Sequence, residues 1–177
     1  MAAFLGRLEV KRLQTIMSGT LRRAERIDPE EIELRSDLAK YICICISGYF
    51  EQAVKELAIE WCRNQAGPTV VRYATRQLDR LQNVNGERLT KLLASFDSTW
   101  PDRLQGLAPE IDALNSIYSN RNQIAHGGNA GITLVRVREY SEQVQRIVDM
   151  LIELLDPPPS SSSGQRRAAA GPGLPPT

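Results

Sequence analysis

One histidine, His126, is all that the sequence contains. It is therefore the only side chain whose unperturbed pKa lies near neutrality. Any proton transfer at pH 7 by an ordinary acid–base group falls first to it. Cysteine is scarce as well. Cys43, Cys45 and Cys62 form an odd set in apolar, helix-patterned surroundings, which argues against a disulfide framework and suits a reducing compartment. Cys43 and Cys45 do not share a helix face, and the one histidine is distant in sequence, so no zinc site is expected. They read as small buried apolar residues, and no metal or other cofactor is called for. An excess of charge of either sign is lacking: 22 basic residues balance 21 acidic ones, and the formal net charge is +1. Nothing global drives the chain toward nucleic acid or a membrane, and such binding needs a local patch. Arginine far outnumbers lysine, which suits phosphate recognition, although genome base composition produces the same bias. Long apolar runs are missing too. The most apolar stretch, Tyr41 to Phe50, falls short of the roughly 20 residues that span a bilayer. Arg7, Glu9, Lys11 and Arg12 interrupt the apolar residues near the start, unlike a secretory signal. No membrane association is expected, and the expected location is the cytoplasm.

What remains is helical patterning almost throughout. Phe4, Leu5, Leu8, Leu13, Ile16, Met17 and Leu21 recur at helical spacing over 4–27. Asp28-Pro29-Glu30-Glu31 reads as a helix start, with an N-cap, proline at the first helical position and acids in the first turn. The helix that follows runs to about Gln65 and is apolar nearly all round: Leu38, Tyr41, Ile42, Ile44, Ile46, Tyr49, Phe50, Ala53, Val54, Leu57 and Trp61. Such a helix needs burial on more than one side, so it is expected at the centre of a bundle and at a dimer interface. Gly67-Pro68 breaks the chain. A third helix is expected over Thr69 to Gln82, with Val70, Val71, Ala74, Leu78 and Leu81 inward. Arg72, Arg76 and Arg80 fall at i, i+4 spacing on it, either a phosphate track or a solvated face. After a turn at 83–86, a short helix carries Leu89, Leu92, Leu93 and Phe96. Trp100 then packs on the core or stacks a base. Pro109-Glu110 opens the next helix, and Thr133 caps the last, which Asp156-Pro157 ends. The expected organisation is one all-α domain over 1–156. Residues 157–177, rich in Pro, Ser, Gly and Ala, cannot bury enough to offset ordering and are expected to be disordered.

The stretch Arg121-Asn122-Gln123-Ile124-Ala125-His126-Gly127 stands out. Arg121 and His126 are roughly 140° apart around a helix but only about 7–8 Å apart along it. They border one groove or face one symmetry-related partner. Asn122 shares a face with His126. Gly127 and Gly128 end the helix through a left-handed C′ residue. On residue types alone, the more ordinary reading of His126 is a side chain that meets the last helix carbonyls and the dipole.

Arg121-Asn122-x-x-x-His126-Gly127, late in an all-helical domain, resembles the signature of the HEPN superfamily: arginine, a polar residue, a variable spacer and histidine. Gly48-Tyr49-Phe50-Glu51 in the apolar helix is similar to the aromatic–acid pair many such domains carry, which makes Tyr49 and Glu51 supporting candidates. The resemblance covers residues 30–155. It implies a four- or five-helix bundle that homodimerises, with the Arg-x4-His stretches of two protomers meeting across the axis. Many members are metal-independent endoribonucleases, several acting as toxins or in phage defence, with a protein antitoxin as partner. Others have lost catalysis and bind nucleotide, RNA or protein. The implied catalytic set is Arg121, Asn122 and His126; for such an enzyme the phosphate-track reading of Arg72, Arg76 and Arg80, which comes from their spacing, makes them candidate RNA contacts.

Overall fold

The computed structural model describes residues 5–128 and 130–155. The expected helix residue Phe4, the loop residue Asn129, the stop at Asp156-Pro157 and the tail 157–177 lie outside the described residues. Six helices are present among the described residues: α1 (Leu5–Glu25), α2 (Ile32–Gln65), α3 (Pro68–Leu78), α4 (Gly86–Phe96), α5 (Ala108–Ala125) and α6 (Leu134–Leu154). A 3-10 segment, Trp100–Leu107, precedes α5, and no strand occurs among the described residues.

Helix α2 is the hub, packing against α1, α3, α5 and α6. Its apolar residues explain why: Ile42, Cys43, Ile46, Phe50 and Ala53 are fully buried along one arc of about 100°, Ala58, Ile59 and Cys62 bury the other side toward the C-terminal end, and Tyr41 and Ile44 stay exposed on that other side in the middle of the helix. The four helices α1, α2, α5 and α6 form the bundle, and α3 is laid along one side of α2. Three aromatics knit α2 to the α4 region. Trp61 meets Phe96 and Trp100 edge-on at 5.1 and 5.3 Å, and Phe96 stacks on Trp100 at 5.9 Å. Trp100 is thus a packing residue of the core. At the same end of α2, buried Glu60 anchors α1, accepting from the Gly6 and Arg7 N–H groups at 2.7 and 3.1 Å and pairing with Arg7 Nε at 3.2 Å. Gly6 permits this approach, since a Cβ there would meet the Glu56 carbonyl oxygen at 2.6 Å.

Two boundaries differ from expectation. Helix α2 starts at Ile32, not at Pro29. Asp28 uses its carboxylate on the Glu30 N–H (3.0 Å) and its carbonyl on the Glu31 N–H (3.0 Å). It closes a turn instead of capping a helix, as Asp with a following Pro readily does. Helix α3 stops at Leu78, with Asp79 held by Lys55 of α2 at 2.5 Å. Because α3 rests on α2 alone, only a narrow face is covered. Val70, about 80° round from Leu78 at 100° per residue, is exposed.

The cysteines are free, with Cys43 and Cys62 buried. Burial pushes the Cys43 thiol up to about 11 and raises that of Cys62. The proton Cys43 holds therefore adds stability below the ordinary thiol range. That contribution is lost as pH climbs from about 8.5, the free thiol value, toward 11. At pH 8 a thiol reagent is expected to modify Cys45 alone in the native protein and all three cysteines after unfolding, as counted by mass spectrometry. Phe50→Ala, at a fully buried site, is expected to cost about 3–5 kcal/mol in urea denaturation.

Candidate functional site

Helix α5 carries Tyr118, Arg121 and Asn122 in its last two turns and ends on His126 as its C-cap. Gly127 takes φ +75°, a left-handed conformation that costs glycine little. Its N–H donates to the Ile124 carbonyl at 3.0 Å, and the Gly128 N–H donates to the Gln123 carbonyl at 2.8 Å. This pair of bonds is a Schellman motif, which supplies backbone donors to the terminal carbonyls. The His126 ring is exposed, and no hydrogen bond or ion pair ties it to another described residue. It does not serve the last carbonyls. A shallow groove of about 510 Å³ opens beside it, lined by Ser119, Asn122, Gln123, His126 and Gly128.

Arg121 is not part of that lining. Its Nη1 donates to Asn83 Oδ1 at 2.5 Å and, more weakly, to Asn122 Oδ1 at 3.4 Å. Asn122 therefore touches the guanidinium and shares the groove with His126. Asn83 sits in the segment before α4 with φ +53°, and its own N–H donates to Glu51 Oε1 at 2.6 Å. The segment is held at further points. Arg88 donates to the Gln82 carbonyl, Asn85 caps α4 by accepting from the Arg88 N–H at 3.0 Å, and the Gly86 N–H reaches Asn115 Oδ1 of α5 at 2.9 Å. Val84 between them is fully buried. Tyr118, buried under Arg121, donates to the Ser47 carbonyl at 3.3 Å. Burial, followed by the charge and hydrogen bond of Glu51, holds its phenol well above the ordinary range, so it stays a neutral donor.

Glu51, Asn83, Arg121 and Asn122 are thus brought together, with His126 on the same groove as Asn122. Tyr49 is not with them. Two residues along α2 place it about 200° from Glu51, and its hydroxyl donates to Gln145 Oε1 of α6 at 2.7 Å. There it lines a separate, more enclosed cavity of about 380 Å³ between α1 and α6, with Met17, Arg22 and Arg138 among its neighbours. The expected pairing of Tyr49 with the site fails because the two side chains leave opposite faces of one helix. The arginine stripe is also shorter than its spacing suggests. Arg72 and Arg76 are exposed on α3, but Arg80 lies beyond the helix end. Asn83 and Tyr118 carried no site signal in the sequence. The turn-rich Asn83-Val84-Asn85-Gly86 marks a turn, yet nothing in it points to a partner 38 residues on.

A helical bundle bearing Arg-Asn-x-x-x-His at the close of its fifth helix is a HEPN-type domain. Residues 11–156 match the model of the RiboL-PSP-HEPN family, and the chain belongs to that family. No curated protein matches the chain, and no solved structure matches it.

The C-terminal cap of α5 makes a testable demand. Gly127→Ala is expected to cost about 1–2 kcal/mol, the penalty of a left-handed residue with a Cβ, and Gly127→Asn less, both read from urea denaturation midpoints.

Proposed function

We propose that the chain is a metal-independent endoribonuclease of the HEPN type, working as a homodimer whose active site is composite. The observation that carries this reading is the exposed, unbonded imidazole of His126 on one groove with Asn122, which in turn touches Arg121. RNA carries its own nucleophile. The 2′-OH loses its proton and attacks phosphorus, the bond to O5′ breaks, and O5′ gains a proton. The products are a 2′,3′-cyclic phosphate and a 5′-OH. One imidazole takes the first proton and the partner subunit's His126 delivers the second, which resolves the shortage of one histidine per chain. Arg121 stabilises the charge that grows on the phosphorane oxygens, and Asn122 orients imidazole or phosphate. The substrate supplies the nucleophile, so the chemistry calls for no metal. Among the described residues no group of three or more His, Cys, Asp or Glu comes together to hold one.

Arg72 and Arg76 make no ion pair with a described residue, and exposed Tyr73 stands between them. We read this face, with Arg80 beyond it, as an RNA contact in which the ring adds base stacking. The working unit is a single domain over 1–156, acting in the cytoplasm as a toxin or phage-defence effector restrained by a protein antitoxin. No helix among the described residues is long and apolar enough to cross a membrane.

A second reading, a non-catalytic HEPN module that binds nucleotide, RNA or protein, is favoured by the near-neutral net charge and by the shallowness of the His126 groove. One experiment separates the two. His126→Ala is expected to lower RNA cleavage in EDTA by about 10²–10⁴-fold and to relieve any growth arrest seen with the wild type. Undiminished cleavage removes the mechanism, and a wild type that neither cleaves RNA nor slows growth leaves the binding module.

A further inference from the structure

We propose that Asn83 is the positioning residue of Arg121: Glu51 holds the Asn83 backbone, and Asn83 holds the guanidinium through a neutral acceptor. The proposal rests on the nuclease reading above and adds a device to it.

A guanidinium that must meet a phosphate has two needs that conflict. It has to be fixed in direction, because a misplacement of about 1 Å costs on the order of 10²-fold in rate. The usual way to fix an arginine is a carboxylate fork, which also neutralises it. Here the carboxylate is set one step back. Glu51 Oε1 accepts the Asn83 N–H at 2.6 Å, and Arg121 Nη1 donates to the amide oxygen of Asn83 at 2.5 Å. The second contact of Nη1, Asn122 Oδ1, is again a neutral amide oxygen. No described carboxylate forms an ion pair with Arg121. The anchor is therefore firm while the positive charge stays available to a phosphate.

The anchor is itself over-determined, as a strained residue must be. Asn83 stands at φ +53°, a region that asparagine tolerates better than most residues. Its neighbours are fixed by Arg88 on the Gln82 carbonyl, by the Asn85 cap, by Asn115 on the Gly86 N–H and by burial of Val84. Asn115 belongs to α5, as Arg121 does, so the segment is registered against the helix it serves. Tyr118, buried one turn before Arg121 on α5, gives its hydroxyl to the Ser47 carbonyl of α2, which ties α5 to the helix that carries Glu51.

The left-handed backbone makes two clean variants available. Asn83→Gly keeps the conformation and deletes only the amide. Asn83→Asp keeps the acceptor and adds a charge. In Asn83→Gly the Arg121 guanidinium is expected to lose order, seen in the ¹⁵N relaxation of its side chain, with Tm retained. Its kcat for RNA is expected to fall by roughly 10²-fold with KM little changed. In Asn83→Asp the guanidinium stays ordered but is neutralised. KM rises, and the slope of log K against log salt for single-stranded RNA shrinks by about 0.7, one phosphate contact. A guanidinium as ordered in Asn83→Gly as in the wild type overturns the proposal. So does an unchanged kcat in that variant, beside a wild type that cleaves and a His126→Ala protein that does not. A wild type no more active than His126→Ala sinks the nuclease reading instead, and the relaxation and salt-slope measurements then decide whether Asn83 anchors Arg121.

Discussion

Helix α2 cannot leave its run of large apolar side chains in water, and that constraint organises the molecule. A helix that buries Ile42, Cys43, Ile46, Phe50 and Ala53 on one face and Ala58, Ile59 and Cys62 on the other side toward its C-terminal end needs neighbours on several sides, because each exposed large apolar side chain forfeits a transfer free energy of about 1.5–3 kcal/mol. Helices α1, α5 and α6 supply those neighbours, and α3 covers a further side near the C-terminal end. The contacts between α2 and α5 are close because small residues lie between them. The Cys43 thiol meets the Ile117 carbonyl at 3.7 Å, and the Ser47 carbonyl takes the Tyr118 hydroxyl. Burial at these points fixes the rotation of α5, and rotation decides which α5 side chains look outward. Asn115, Ser119, Asn122 and His126 are exposed along one face because Leu114, Ile117 and Tyr118 are committed to the core.

That division leaves Arg121 at the margin between core and surface. A side chain there is partly desolvated, so its hydrogen bonds count for more than at a fully wet site, yet it still reaches solvent. The same margin explains the state of His126. The Schellman bonds of Gly127 and Gly128 satisfy the end of α5 with backbone groups, which frees the ring from a capping duty. A helix end capped by its own histidine would spend that side chain on structure.

The bundle was largely legible in the sequence because its signals are local and strong. Periodic apolar residues, the Gly67-Pro68 break, the Thr133 cap and the Gly127 stop all act within a few residues of themselves, and each is found where the pattern indicates. Two signals misled for a shared reason. Asp28-Pro29 suits a turn as well as a helix start, and only the carbonyl and carboxylate of Asp28 decide between them. Val70 fits an inward face only if α3 has neighbours beyond α2, which it lacks. The Arg-Asn-x-x-x-His stretch was legible as a motif, but Tyr49 and Glu51, read together, are separated by the helix on which both stand.

Asn83 was illegible for a deeper reason. Its role depends on three segments meeting: the middle of α2, the turn before α4 and the end of α5. Sequence distance hides such a meeting, since Asn83 is 32 residues from Glu51 and 38 from Arg121. The part that local patterning can supply is the helix that carries a reacting group. The part that aims the group comes from loops, whose partners are set by packing elsewhere. In this chain the aiming residue is reached from α2, the same helix whose burial sets the rotation of α5. The demand that buries Phe50 on one side of α2 turns Glu51, one residue on, toward the turn that carries Asn83.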